Sequence, residues 1–201
     1  MARPKAFNEE AAIDKAVEVF WTKGYEAASM QDLINAMGIQ RGSLYNAFGS
    51  KQQLFLKSLQ RYGVVVVNKL LEILESKPSA IASIELFFAQ LVEHLLTAGE
   101  LRSCLVTNSA IERGLRDEET KAQVLSLLSS LEKGFYNTLL RAKENGELST
   151  EFDLHLLAHY LTSNMQGLLV IGKVNSERSV LEGINQVTLS ILTHNTHRGL
   201  T

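Results

Sequence analysis

The strongest constraint on the fold lies in residues 29–51, where helix-capping residues and glycines mark the ends of short helical segments. Ser29 is a good N-cap, and Asp32 stands three positions later, where its carboxylate completes a capping box. Apolar residues follow at helical spacing: Met30, Leu33, Ile34 and Met37. Gly38 accepts the left-handed conformation that ends a helix sharply. The pattern predicts a short helix that stops at a glycine corner.

A second short helix is predicted from about residue 40 to residue 47, and it buries Leu44 and Phe48 on one side. Its other face carries polar groups, with an aromatic ring at the edge: Gln40, Arg41, Ser43, Asn46 and Tyr45. A short helix, a glycine turn and a polar-faced second helix form a helix-turn-helix. The second helix of that motif fits the major groove of DNA.

The region from Ile13 to Lys51 closely resembles the DNA-binding domain of TetR-family transcriptional regulators. The resemblance rests on AVEVFWTKGY at 16–25, DLINAMGI at 32–39 and GSLYNAFGSK at 42–51. Two residues depart from the family pattern: Ala47, where many members carry His or Tyr, and Trp21, which replaces a smaller or polar residue. The resemblance implies a three-helix DNA-binding domain over residues 1–51. It also implies a helical effector-binding and dimerisation domain over residues 52–201.

The remaining sequence predicts an all-α chain, because helix-favouring residues are abundant and only Pro4 and Pro78 interrupt them. The valine run at 64–67 is the main objection, but four residues inside a long helical pattern make a poor strand. We expect helices from Asn8 to Gly24, from Ser50 to about Glu75, from Pro78 to before Gly99, from Ser103 to Arg113, from Asp117 to Gly146, from Asp153 to Lys173 and from Glu177 to Thr193.

The formal net charge of −2 does not suggest a nucleic-acid partner, but the charges are unevenly distributed. No acidic residue occurs from Leu33 to Leu71, where Arg41, Lys51, Lys57, Arg61 and Lys69 are basic. A locally basic edge on a mildly acidic body suits a protein that touches DNA at one end. There is no signal-peptide pattern and no apolar run of membrane-spanning length, so we expect a cytoplasmic protein.

The DNA contacts are expected to divide between bases and phosphates. Gln40 and Arg41 suit base edges, and Gly42 allows close approach of the backbone. Ser43 and Asn46 suit bases or phosphates, and the resemblance implies a phosphate contact for the Tyr45 hydroxyl. The remaining expected contacts are phosphate contacts at Ser29 and Lys51 and a minor-groove arm that contains Arg3 and Lys5.

The resemblance also implies an effector pocket inside the C-terminal helices and a homodimer formed by the last two long helices. Expected pocket residues are Phe87, Phe88, Leu91, Cys104, Asn108, Tyr136, Tyr160 and Met165. Each has an alternative interpretation as ordinary core. The apolar arc of the last two helices also has two interpretations, since it suits a dimer interface or the protomer core.

The cysteine and two of the histidines are more easily explained by packing or solvent exposure than by chemistry. Cys104 is either a redox or electrophile sensor or a small buried side chain, and the absence of a second cysteine favours packing. His155 and His159 have metal-ligand spacing, but no third ligand is evident. We therefore expect no metal and no cofactor.

We expect a homodimeric, ligand-released repressor that binds an inverted-repeat operator. An activator or an effector-independent DNA-binding regulator is the alternative. An enzyme is disfavoured, because the sequence shows no catalytic constellation.

Overall fold

The computed structural model describes residues 7–97, 104–148 and 152–193, and these residues form helices and turns without a strand. The helices are α1 Glu9–Ala27, α2 Met30–Met37, α3 Arg41–Phe48, α4 Lys51–Tyr62, α5 Asn68–Glu75, α6 Ala80–Thr97, α7 Leu105–Arg113, α8 Glu118–Glu144, α9 Leu154–Val174 and α10 Arg178–Thr193. The predicted all-α class is confirmed. Arg3 and Lys5 lie outside the described residues.

Side-chain caps set most of the helix starts that the sequence predicts. The Asn8 side chain accepts a hydrogen bond from the Ala11 N–H at 3.1 Å. Asp117 accepts one from the Thr120 N–H at 2.7 Å, and Asp153 accepts one from the His155 N–H at 2.7 Å. Each cap satisfies a backbone donor that has no partner within its own helix.

One predicted start is wrong. Pro78 was expected to be the first residue of its helix, but α6 begins at Ala80. The cause is Ser79, whose hydroxyl oxygen accepts a hydrogen bond from the Ala82 N–H at 3.1 Å and so acts as the N-cap. Pro78 therefore lies just before the cap, where its missing N–H removes no helical hydrogen bond.

The predicted long helix from Ser50 to Glu75 is helical throughout but not uniformly α-helical. Ser50 caps α4 by accepting a hydrogen bond from the Gln53 N–H at 3.1 Å. A π-helical turn at Gly63–Val67 then joins α4 to α5. The turn coincides with the run of four valines, whose branched side chains crowd an α-helical turn.

The chain divides into two compact units, the first made of Met1–Val66 with Cys104–Leu127 and the second of Val67–Ser103 with Leu128–Thr201. The first unit therefore joins the N-terminal helices to α7 and the start of α8. Its core includes the fully buried Phe20 and Phe55, whose rings lie edge to face at 5.0 Å. The expected functional boundary after residue 51 stays a prediction.

The second unit is built on α6, where Phe87 and Phe88 are fully buried and both contact the ring of Phe135 in α8. By length and composition, α6 is the one described helix apolar enough to cross a membrane. The complete burial of Phe87 and Phe88 makes it a core helix of this unit.

The N-terminus of α6 is stabilised by a carboxylate that lies three residues after the end of α8. Glu147 accepts hydrogen bonds from the Ser79 hydroxyl at 2.6 Å and from the N–H groups of Ala80 and Ile81 at 3.2 and 3.1 Å. A negative charge is favourable at a helix N-terminus, where the backbone donors and the helix dipole are positive. These hydrogen bonds, led by that of Ser79, lower the pKa of Glu147 from 4.5 to about 2.

We expect Glu147→Gln to lower the thermal unfolding midpoint at neutral pH. Because the folded-state pKa lies below the unfolded value, the ionised group stabilises the fold above about pH 4.5, and this contribution is lost as pH falls towards 2. The midpoints of wild type and variant should therefore converge between pH 5 and 2, by calorimetry. Glu144→Gln makes the same charge change at an exposed position. If the difference in unfolding midpoint between wild type and Glu147→Gln is as large at pH 2 as at neutral pH, the ionised Glu147 carboxylate is not the stabilising group.

Candidate nucleic-acid interface

The start of α2, the first helix of the helix-turn-helix, is fixed by the capping box that the sequence predicts. The Ser29 hydroxyl oxygen accepts a hydrogen bond from the Asp32 N–H at 3.0 Å, and the Asp32 carboxylate accepts one from the Ser29 N–H at 2.9 Å. Lys23 adds an ion pair with Asp32 at 2.7 Å. Hydrogen bonding from Lys23, followed by that from Ser29, keeps the pKa of Asp32 well below its usual range. Ser29 is thus committed to the cap, and its expected DNA contact stays a prediction.

Gly38 forms the corner between α2 and α3, with φ 65° and ψ 29°, as predicted. Its N–H donates to the Ile34 carbonyl at 3.0 Å and so closes the last turn of α2. The corner allows both helices to bury their apolar sides, because Leu33 in α2 and Leu44 in α3 are fully buried.

Most polar residues of α3 and its N-cap are exposed, whereas Leu44 and Phe48 are buried. Gln40, Arg41, Gly42, Tyr45 and Asn46 are exposed, while Ser43 is half-buried. The structure thus brings six of the predicted contact residues onto one short helix and its N-cap. Gln40 makes no capping hydrogen bond with its side chain, and the Arg41 guanidinium lies 5.9 Å from the centre of the Tyr45 ring.

Gly42 leaves open space above the backbone of α3. A Cβ at this position would meet no atom within 4 Å. The chain's own packing therefore does not require glycine here, whereas the left-handed Gly38 does require it.

Lys51, the first residue of α4, lies beside the aromatic ring of Tyr25 instead of extending freely into solvent. Its ammonium nitrogen is 4.4 Å from the centre of that ring and donates to the Glu26 carbonyl at 3.5 Å. Burial in this environment lowers the pKa of Lys51. Two of its three N–H donors remain for other acceptors.

Two basic residues of the acid-free stretch are engaged by the protein itself. Arg61 forms ion pairs with Asp14 at 2.6 Å and Glu10 at 3.3 Å, both in α1. Lys57 lies 5.4 Å from the centre of the Phe48 ring. The sequence pattern missed these pairings, because they join residues up to 51 positions apart.

Among the predicted effector residues, Cys104 and Asn108 belong to the first unit and the other six to the second. The Cys104 side chain is buried, and its sulfur lies 3.7 Å from the Tyr62 hydroxyl. In the second unit, Phe87, Phe88 and Met165 are almost completely buried. The apolar members therefore belong to the protein core, and a ligand-lining role for them stays a prediction.

His159 and His155 do not meet at a metal site. His159 pairs with Glu132 at 2.9 Å, and His155 stacks on Tyr136 at a ring distance of 4.1 Å. The described residues contain no group of three or more His, Cys, Asp or Glu side chains suited to a metal.

Comparison with known proteins identifies the family. Residues 12–57 match the model of bacterial regulatory proteins of the TetR family, and residues 80–187 match the tetracyclin repressor-like C-terminal domain. The chain belongs to the TetR family of transcriptional regulators. The enzyme alternative is thereby excluded.

Individual TetR-family relatives match the chain over nearly its whole length. The uncharacterized HTH-type transcriptional regulator YezE of Bacillus subtilis is 36% identical over 193 residues, which are 96% of this chain and 100% of that protein. The HTH-type transcriptional repressor ComR of Escherichia coli is 26% identical, over 94% and 90% of the two chains. A solved structure of the regulator CifR with 26-base-pair double-strand operator DNA is 29% identical, covers 95% and 100%, and has a TM-score of 0.84.

Two glycines of the helix-turn-helix should respond oppositely to substitution by alanine. Gly38→Ala is expected to lower the free energy of unfolding by about 1–2 kcal/mol, because a side chain strains the left-handed corner. Gly42→Ala should stabilise the fold by about 0.5–1 kcal/mol, since alanine is the better helix former. It should nevertheless weaken DNA binding by on the order of tenfold, or about 1.4 kcal/mol, if the backbone approaches the duplex there.

Urea unfolding and fluorescence anisotropy with labelled duplex DNA measure these two effects. Each glycine variant serves as the control for the other. A Gly42→Ala protein that binds DNA as tightly as the wild type does would remove Gly42 from the interface.

Proposed function

We propose that the protein is a repressor that binds an inverted-repeat operator as a homodimer and is released by a small-molecule effector. The observation that carries the proposal is the exposure of Gln40, Arg41, Gly42, Tyr45 and Asn46 along one short helix and its N-cap. It is supported by the relative that is named a repressor and by the relative solved with operator DNA. A regulator of this kind acts on DNA in the cytoplasm.

The proposed base readout centres on the start of α3. Arg41 pairs in bidentate geometry with guanine, and Gln40 pairs with adenine. Tyr45, Ser43, Asn46 and Lys51 are the proposed phosphate or flanking contacts, which fix the position of α3 on the duplex. In a twofold dimer, two α3 helices lie about 34–36 Å apart or somewhat farther, so the operator is an inverted repeat.

Selection of bound duplexes from a random pool tests the function and the role of Arg41 together. We expect the wild-type protein to enrich an inverted repeat. Arg41→Ala should weaken binding by about 1–3 kcal/mol for each half-site and relax the preference at one position in each half-site. Arg116→Ala removes an equal charge from an exposed position outside the proposed interface. If Arg41→Ala lowers the affinity for every DNA sequence equally, Arg41 contacts the DNA backbone and not a base. If the wild-type protein enriches no duplex at all, the proposed function is contradicted.

The last two helices expose an apolar surface that the protomer does not cover. Most of the apolar arc of α9 is buried in the protomer, including Leu157, Leu161 and Leu168. The exposed side chains are different ones: Leu156, Val170, Ile171 and Val174 on α9 and Val187 on α10. Gly167 and Gly183 leave open space in which a second helix can approach closely. We propose that this surface forms the homodimer interface.

Val187→Asp should convert the dimer to a monomer, because Val187 is 68% exposed and a buried, unpaired carboxylate in the interface is unfavourable. Molar mass from light scattering coupled to size exclusion measures the change. Leu125→Asp is the matched control, since Leu125 is 53% exposed on α8, outside the proposed interface. Dissociation by Leu125→Asp but not by Val187→Asp would place the interface elsewhere.

The proposed effector is apolar and of modest size, in keeping with the predicted lining by Phe87, Phe88, Leu91 and Met165. Because these side chains already fill the core, binding requires them to repack, and the bound and free proteins would then differ in conformation. A thermal-shift screen of apolar compounds, followed by release of labelled DNA, tests this step. A protein that no compound stabilises or releases would favour the effector-independent regulator.

A further inference from the structure

The C-terminal turn of α1 is fixed by a side chain from α7, more than 80 residues later in the sequence. Gly24 adopts a positive φ of 77° and interrupts the regular backbone of α1. The next N–H, that of Tyr25, donates to the Glu112 carboxylate at 2.7 Å. A Cβ at residue 24 would overlap this carboxylate. The positive φ favours glycine at this position, and a side chain here would also displace the Glu112 carboxylate from its contact.

The ring of Tyr25 holds two cations that come from different helices. The Lys51 ammonium nitrogen lies 4.4 Å from its centre, and the Arg113 guanidinium carbon lies 4.5 Å from it. Arg113 also pairs with Glu26 at 3.3 Å. Cations over an aromatic face are attracted by its quadrupole, so the ring helps to define where the Lys51 charge is held.

The position of Lys51 thus depends on a chain of short contacts that begins in α7. Glu112 fixes the backbone at Tyr25, and the ring and the neighbouring Glu26 carbonyl then hold the Lys51 ammonium group. All these residues belong to the first compact unit. A hydrogen bond to a carboxylate is among the stronger ones, and a displacement of about 1 Å is large on the scale of a phosphate contact.

We propose that Glu112 of α7 is a positioning residue for the contact between Lys51 and the DNA backbone. The proposal rests on the proposed operator binding. Glu112 itself is negatively charged and touches no DNA in this role. It acts by holding the turn that carries the Tyr25 ring, so operator affinity depends on where α7 lies.

The test compares the salt dependence of binding to the duplex selected from the random pool. Lys51→Ala should reduce the magnitude of the slope of log K against log salt by about 1.8, the effect of two lost phosphate contacts, one from each protomer of the dimer. Glu112→Ala should reproduce this reduction and weaken binding by about tenfold. Glu112→Gln should stay within about threefold of wild type, because its amide oxygen still accepts the Tyr25 N–H.

A double variant separates positioning through Lys51 from a general structural effect. In the Lys51→Ala background, Glu112→Ala should have almost no further effect on the slope, since the two changes act on one contact. Glu118→Ala is the matched charge control, because Glu118 is 85% exposed and pairs with Lys121 on its own helix. If Glu112→Ala does not fold, Glu112→Ser replaces it, because the serine side chain is polar but too short to reach the Tyr25 N–H.

Three results would overturn the inference. They are a wild-type slope in folded Glu112→Ala, a wild-type slope in Lys51→Ala, and additive slope changes in the double variant. In each case the wild-type protein still binds its operator, so the proposed function stands. A wild-type protein that binds no duplex at low salt would overturn the proposed function itself, and this inference with it.

Discussion

The left-handed turn at Gly38 is the backbone constraint on which the recognition surface depends. It ends α2 and redirects the chain towards α3, and Leu33 and Leu44 on the two helices are both fully buried. Burial of Leu44 and Phe48 fixes the rotation of α3 about its own axis. With α3 in this rotation, Arg41, Tyr45 and Asn46 are exposed. The exposed polar residues of this eight-residue helix are therefore held in place by the burial of its two apolar side chains.

The positive charge that the first unit presents depends on which basic side chains are paired, and the chain's formal net charge of −2 does not describe it. Arg61 is neutralised by acidic residues of α1, although it lies in a stretch without any acid of its own. Arg41 keeps an exposed guanidinium near Tyr45, and Lys51 is partly desolvated against Tyr25. The basic residues of the acid-free stretch are therefore not equivalent, and a count of them overstates the charge available to DNA.

The sequence predicts the features that arise from neighbouring residues. The Ser29 capping box, the Gly38 corner and the Asp117 cap each join residues three to five positions apart, and all three are present. The start of α6 was misplaced by two residues, because Pro78 and Ser79 both mark helix starts and the hydroxyl cap prevails. The contact between Tyr25 and Glu112 spans 87 positions and has no local signal. The sequence did not predict which part of α9 is exposed, because its apolar arc is too broad to reveal which side its own protomer covers.

The packing around Tyr62 gives the chain an optical property. Its one tryptophan, Trp21, lies edge to face against Tyr62 at 5.1 Å, and the Tyr62 hydroxyl meets the sulfur of Cys104 at 3.7 Å. Indole emission therefore comes from a single place, where α1 and α4 adjoin the residue that precedes α7. A chemical change at Cys104, or a shift of α7, therefore alters the surroundings of Tyr62, on which Trp21 packs. Trp21 fluorescence in the unlabelled protein reports such a change.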